Sequence, residues 1–168
     1  MLEFCRWLAD TPGSVALHES LWGYPVVESI HVLTLCLFLG LTIVMDLRLT
    51  GIAFTTIPVS RISQRLLPLI FCGFAIMVVT GLLLFYAIPV KTYLNVFFRI
   101  KLIALVLAGI NAGLFHFTIE RNIGAWENDA TPPPRARLAG GVSLFLWAVI
   151  VISGRLIAYN WFEDPSIH

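Results

Sequence analysis

Residues 25–47 read PVVESIHVLTLCLFLGLTIVMDL. As a helix this run is about 35 Å long at about 1.5 Å per residue, enough to cross a hydrocarbon layer of about 30 Å. Its strongly polar side chains are Glu28 and His31 near the start and Asp46 near the end. The middle is apolar throughout, with no polar stripe to face water. A helix that is hydrophobic all round is a core helix of a large protein or a membrane span, and 168 residues do not make a large protein.

The rest of the chain repeats the pattern. Further apolar runs cover about 66–88, 97–119 and 138–161. Pro58 and Pro89 punctuate two of the connections. The third connection, ERNIGAWENDATPPPRAR at 120–137, is polar and proline-rich and reads as an exposed loop. Short connections favour antiparallel neighbours. The expected fold is therefore all-α, a transmembrane four-helix up-down-up-down bundle forming one domain over 1–168. Trp7, Trp22 and Tyr24 mark a short N-terminal interfacial segment. That segment lacks the basic start and continuous apolar stretch of a cleaved signal peptide.

Composition agrees. Hydrophobic residues are 58% of the chain and charged residues 12%, against about 25% charged in soluble domains. Mean hydropathy is +0.87. The formal net charge of +1 provides no field for nucleic acid. Cys5, Cys36 and Cys72 share no metal-binding spacing and read as small core hydrophobes. No CxxCH occurs, which excludes covalently attached haem.

Arginine distribution orients the helices. The side opposite the termini carries Arg48, Arg61, Arg65, Arg121, Arg135 and Arg137, whereas outside the spans the terminal side carries Arg6 and Lys91. The positive-inside rule places the arginine-rich side in the cytoplasm and both termini in the periplasm. Asp46 and Arg48 then lie at the cytoplasmic edge, where charges reach water cheaply, and serve topology and helix ending. In the third run Gly109 and Gly113 form a GxxxG pair, read first as close packing within the bundle and second as a dimer seam.

Ionisable groups inside spans are the functional candidates, since each costs ~2.5–3.5 kcal/mol at mid-helix. Glu28 and His31 share a face of the first run. Counted along alternating helices, Lys101 and Arg155 reach the same depth near the terminal side, as does Gly81, where a missing side chain leaves room for a flat ligand. One reading is a closed polar network with Glu28 paired to Lys101 or Arg155. The other is a cofactor pocket. Histidine is the usual ligand to haem iron in helical bundles, and Lys101 and Arg155 suit the propionates, so the natural cofactor is haem b with His31 on the iron. The second axial ligand stays open. His116 lies about a dozen residues deeper, or ~20 Å away, and belongs to the opposite interface or, with Met45, to a second haem. His18, His168 or another subunit are the remaining sources.

The segments ESLWGYPVVESIHVLTLCLFLGLTIVMDLRLTG, RLLPLIFCGFAIMVVTGLLLF, YLNVFFRIKLIALVLAG and GRLIAY resemble a bacterial family of small four-helix inner-membrane proteins of unknown function. A looser similarity, carried by His31 and Lys101-Leu102, is to membrane haem proteins such as the oxygen-independent protoporphyrinogen oxidase and the copper-resistance D type. The similarity implies a multi-pass protein of the bacterial inner membrane. The expected function is that of a membrane b-type cytochrome or haem-binding subunit passing electrons near the periplasmic face, with a quinol or periplasmic redox protein as partner. The alternative is a non-enzymatic anchor or accessory subunit, in contact with other membrane subunits or a second copy, in which the His31 layer is a structural network.

Overall fold

The computed structural model describes residues 1–129 and 131–159. Among them there is no strand, and the chain is an all-α bundle. Four helices are long and apolar enough to cross a membrane: α3 (Gly23–Thr50), α4 (Val59–Ala87), α6 (Val96–Leu114) and α7 (Pro134–Leu156). They make this a multi-pass membrane protein. Two short helices, α1 (Leu2–Ala9) and α2 (Pro12–Glu19), form the N-terminal segment, and α5 (Pro89–Leu94) joins α4 to α6.

The boundaries follow local chemistry. Gly51, with φ 76°, ends α3 in the left-handed region, and the N–H groups of Gly51 and Ile52 reach back to the carbonyls of Arg48 and Leu47. Pro89 and Pro134 open α5 and α7, where a missing N–H costs nothing. The Asn95 side chain accepts from the N–H groups of Phe97 and Phe98 at 2.9 and 3.3 Å and starts α6. α4 starts seven residues before its apolar run, at Val59, because Arg61 and Arg65 are ordinary helix formers that extend it toward the headgroups. α6 gives way at Phe115 to a π-helical turn (Phe115–Ile119) and then a 3-10 turn (Glu120–Ala125). The end of the fourth predicted run, beyond 159, lies outside the described residues.

Packing runs α4–α3–α7–α6 around the bundle. The central cluster is Phe38 of α3 with Ala104 and Ala108 of α6 and Leu146, Trp147 and Ile150 of α7. The alanines bring α6 close to α7, and the ring of Phe38 meets that of Trp147 edge-on at 4.8 Å. A second cluster closes the end opposite the N-terminal helices: Met45, Leu49, Val59, Ile62, Trp126 and Ala136. Most described residues of the 120–137 connection are exposed, as expected, but it folds back to bury Trp126 in this cluster, and Pro132 is buried as well. Outward faces of the long helices carry exposed Leu33, Leu37, Val106 and Phe145, the lipid-facing surface.

Two small-residue expectations come out differently. Gly109 and Gly113 have no atom within 4 Å of where a Cβ would stand. They point away from the α6 face that carries Ala104 and Ala108, and so do not pack the bundle. The tight glycine contact is Gly140 of α7, where a Cβ would lie 3.0 Å from the Asp46 carbonyl and from Leu49. Cys36 and Cys72 are exposed on outward faces, and Cys5 alone of the three is buried.

Candidate functional site

The layer picked out by the ionisable residues lies toward the N-terminal side of the bundle. The structure brings three of its members together. His31 is half-buried on α3, facing α4. Its Nδ1 is 2.7 Å from Thr80 Oγ1. The Thr80 hydroxyl donates to the Ile76 carbonyl at 2.7 Å, which commits its single proton. Thr80 Oγ1 is therefore the acceptor, His31 Nδ1–H the donor, and Nε2 carries the free lone pair. A metal-bound histidine is held in the same way, one ring nitrogen donating to a neighbour so that the other faces the ion.

Gly81 sits against this ring. A Cβ there would be 3.4 Å from His31 Cε1, so the space above Gly81 is filled by the imidazole and not by a ligand lying on the backbone. Lys101 is half-buried on α6 and within electrostatic range of His31. Its Nζ lies 3.6 Å from the position a Cβ would take on Gly154 of α7, an ordinary contact distance, so the ammonium rests against that glycine.

The other two members turn away. Glu28 is exposed, within electrostatic reach of the Tyr24 hydroxyl. Arg155 is exposed and lies over the ring of Tyr159, 5.4 Å from its centroid. Among the described residues neither Glu28–Lys101 nor Glu28–Arg155 forms an ion pair; the ion pair present is Arg6–Glu3 on α1. Among the described residues the expected pairing of Glu28 with Lys101 or Arg155 is not built.

Aromatic rings bound the layer on two levels. One turn toward the N-terminal side, Phe85 of α4 stacks on Phe98 of α6, centroids 5.6 Å apart. Two turns the other way, the Phe38–Trp147 pair fills the bundle. Sequence reasoning missed Thr80 and Gly154, because threonine and glycine are common in membrane helices and neither stands out without its neighbour.

The remaining histidines lie elsewhere. His116 is exposed in the π-helical turn, its ring edge-on to Phe117 at 5.4 Å. His18 lines a separate cavity of about 350 Å³ with Ser14, Glu19, Pro89 and Lys91, between α2 and the α4–α5 junction. His168 lies outside the described residues. Among the described residues no cluster of three or more His, Cys, Asp or Glu could hold a metal ion. Among the described residues the donor set at His31 is one imidazole.

Asp46 and Arg48 are not interfacial charges in contact with water. Both are buried. Arg48 Nε donates to the Ile57 carbonyl at 2.8 Å, and Nη2 to the carbonyls of Glu127 and Asp129 at 3.1 Å each. The guanidinium ties together the two connections on that side of the bundle. Asp46 faces Ser143 of α7 beside the Gly140 crossing.

A family model described as a family of unknown function, DUF6644, matches residues 21–160. No curated protein and no solved structure matches the chain, so the comparisons show no similarity to membrane haem proteins.

Proposed function

We infer that this chain, which belongs to the family of unknown function DUF6644, is a haem-binding membrane protein with His31 as the axial ligand. The carrying observation is the Ile76–Thr80–His31 relay, which fixes the imidazole and leaves Nε2 free. Lys101 supports the reading. An ammonium within a span with no carboxylate beside it among the described residues calls for an anionic partner, and a propionate supplies one. Glu28 and Arg155 drop out of the contact set. Bound there, a b-type haem would supply one-electron redox chemistry. The chain's own part is to hold the ring of His31 and to neutralise a carboxylate.

On the positive-inside rule the site lies in the periplasmic half of the bacterial inner membrane, with both termini periplasmic. The exposed arginines support this orientation less sharply than the bare sequence. Arg61, Arg65, Arg135 and Arg137 are exposed on one side. Arg99 and Arg155, resting on Tyr93 and Tyr159, join Arg6 and Lys91 on the other. A quinol or a periplasmic redox protein is the partner class for electron transfer at that face.

The test is the absorption spectrum of the purified protein, oxidised and then reduced. A Soret band with sharp reduced α and β bands is expected. Thr80→Val should weaken haem retention, since it removes the acceptor that orients the ring. A protein that neither carries haem nor takes up added hemin is instead an anchor or accessory subunit.

A further inference from the structure

Three sides of the bundle are closed by helix contacts and one is not. α3 packs on α4 and on α7, and α7 packs on α6. Among the described residues no Cα of α4 comes within 8 Å of one of α6. The two helices meet through side chains at one end, where Phe85 stacks on Phe98. Inward of that stack the polar layer begins: Thr80 and Gly81 on α4, Lys101 on α6, with His31 behind them on α3. Inward again, Phe38 and Trp147 block the bundle. This compartment is thus bounded by one aromatic pair toward the N-terminal side and by another deeper in the bundle, with no close backbone contact between α4 and α6 on its remaining side.

Lys101 decides what such an opening admits. Its aliphatic stem lies against Gly154 and its ammonium has no carboxylate partner among the described residues. An apolar molecule would leave the ammonium unpaired. A water-soluble anion would have to cross lipid or the Phe85–Phe98 stack. A ligand that is both lipid-dissolved and carboxylate-bearing meets neither obstacle.

We propose that the compartment is entered sideways from the bilayer, between α4 and α6, by an amphiphile whose carboxylate pairs with Lys101. This deepens the haem reading and rests on it, since haem is such an amphiphile and His31 would then meet its iron. The side entrance also yields to a probe that contains no iron.

The full chain is reconstituted in vesicles holding a fatty acid with a photoactivatable diazirine on its tail or, in parallel, the methyl ester of the same acid. After irradiation, adducts are mapped by peptide mass spectrometry. The acid should label α4 over residues 74–85 and α6 over 98–105, while the ester spreads over all lipid-facing surfaces. Lys101→Met, which keeps an unbranched apolar chain and so preserves the bundle, should cut the focused labelling about tenfold, as expected for losing one charge-assisted contact. Identical patterns for acid and ester, or labelling that ignores Lys101→Met, overturn the side entrance. Excess hemin should suppress the focused labelling. Focused labelling that hemin leaves untouched keeps the entrance and overturns the haem reading. A haem Soret band with unfocused labelling does the reverse.

Discussion

Two cations sit at opposite ends of this bundle, one buried and one half-buried, and the fold treats them differently. Arg48, 0% exposed, donates to three carbonyls from two connections, while its Nη1 and the buried Asp46 Oδ2 find no hydrogen-bond partner among the described residues. Lys101 is half-buried against a glycine and has no carboxylate beside it among the described residues. The geometry of the groups accounts for part of this. A guanidinium presents a planar fork of donors that can bind several fixed carbonyls at once, whereas an ammonium is a compact charge on a long stem that can wait for a mobile partner. The Arg48 end is built for stability, and the Lys101 end leaves a charge for something else to satisfy.

Stability measurements in detergent would sharpen or break this contrast. Arg48→Leu should cost most, about 3 kcal/mol or more, because three part-buried carbonyl hydrogen bonds lose their charged donor. A loss well under that would mean the connections do not depend on the guanidinium. Gly140→Ala comes next, at about 1–3 kcal/mol. The new methyl must displace the Asp46 carbonyl or Leu49, each 3.0 Å away, and an unchanged midpoint would show that α3 and α7 separate freely. Lys101→Met should move the other way, raising stability by about 1 kcal/mol as a costly intramembrane charge is removed. A marked loss would reveal a structural partner for Lys101 and erase the difference between the two ends. Gly109→Leu and Gly113→Leu should change the unfolding midpoint least, by under about 0.5 kcal/mol, as expected of open surface positions. A large drop in either would point to a second copy packed on that face.

The contrast also explains what could be read from the sequence. Four spans and their approximate limits were legible, because apolar runs of the right length have few other fates. Hydropathy does not register that Arg61 and Arg65 continue a helix, so α4 starts earlier than its apolar run. Nor does it show that a polar, proline-rich connection folds back to bury Trp126. The depth of Glu28, His31, Gly81, Lys101 and Arg155 followed from counting residues, but direction around each helix did not. Within that layer His31, Gly81 and Lys101 face the interior, while Glu28 and Arg155 face outward. The same limit placed Arg48 in water when it is sealed in protein, since nothing in the identity of Ile57, Glu127 or Asp129 says that their carbonyls converge.

The most direct test is a hemin titration of the purified protein, followed at the Soret band for wild type, His31→Ala and His116→Ala, with folding checked by circular dichroism. Wild type and His116→Ala should each saturate with one haem per chain, while His31→Ala stays folded and develops no band. A wild-type protein that binds no hemin, or a band that survives His31→Ala and disappears in His116→Ala, would contradict the assignment of the ligand site to His31.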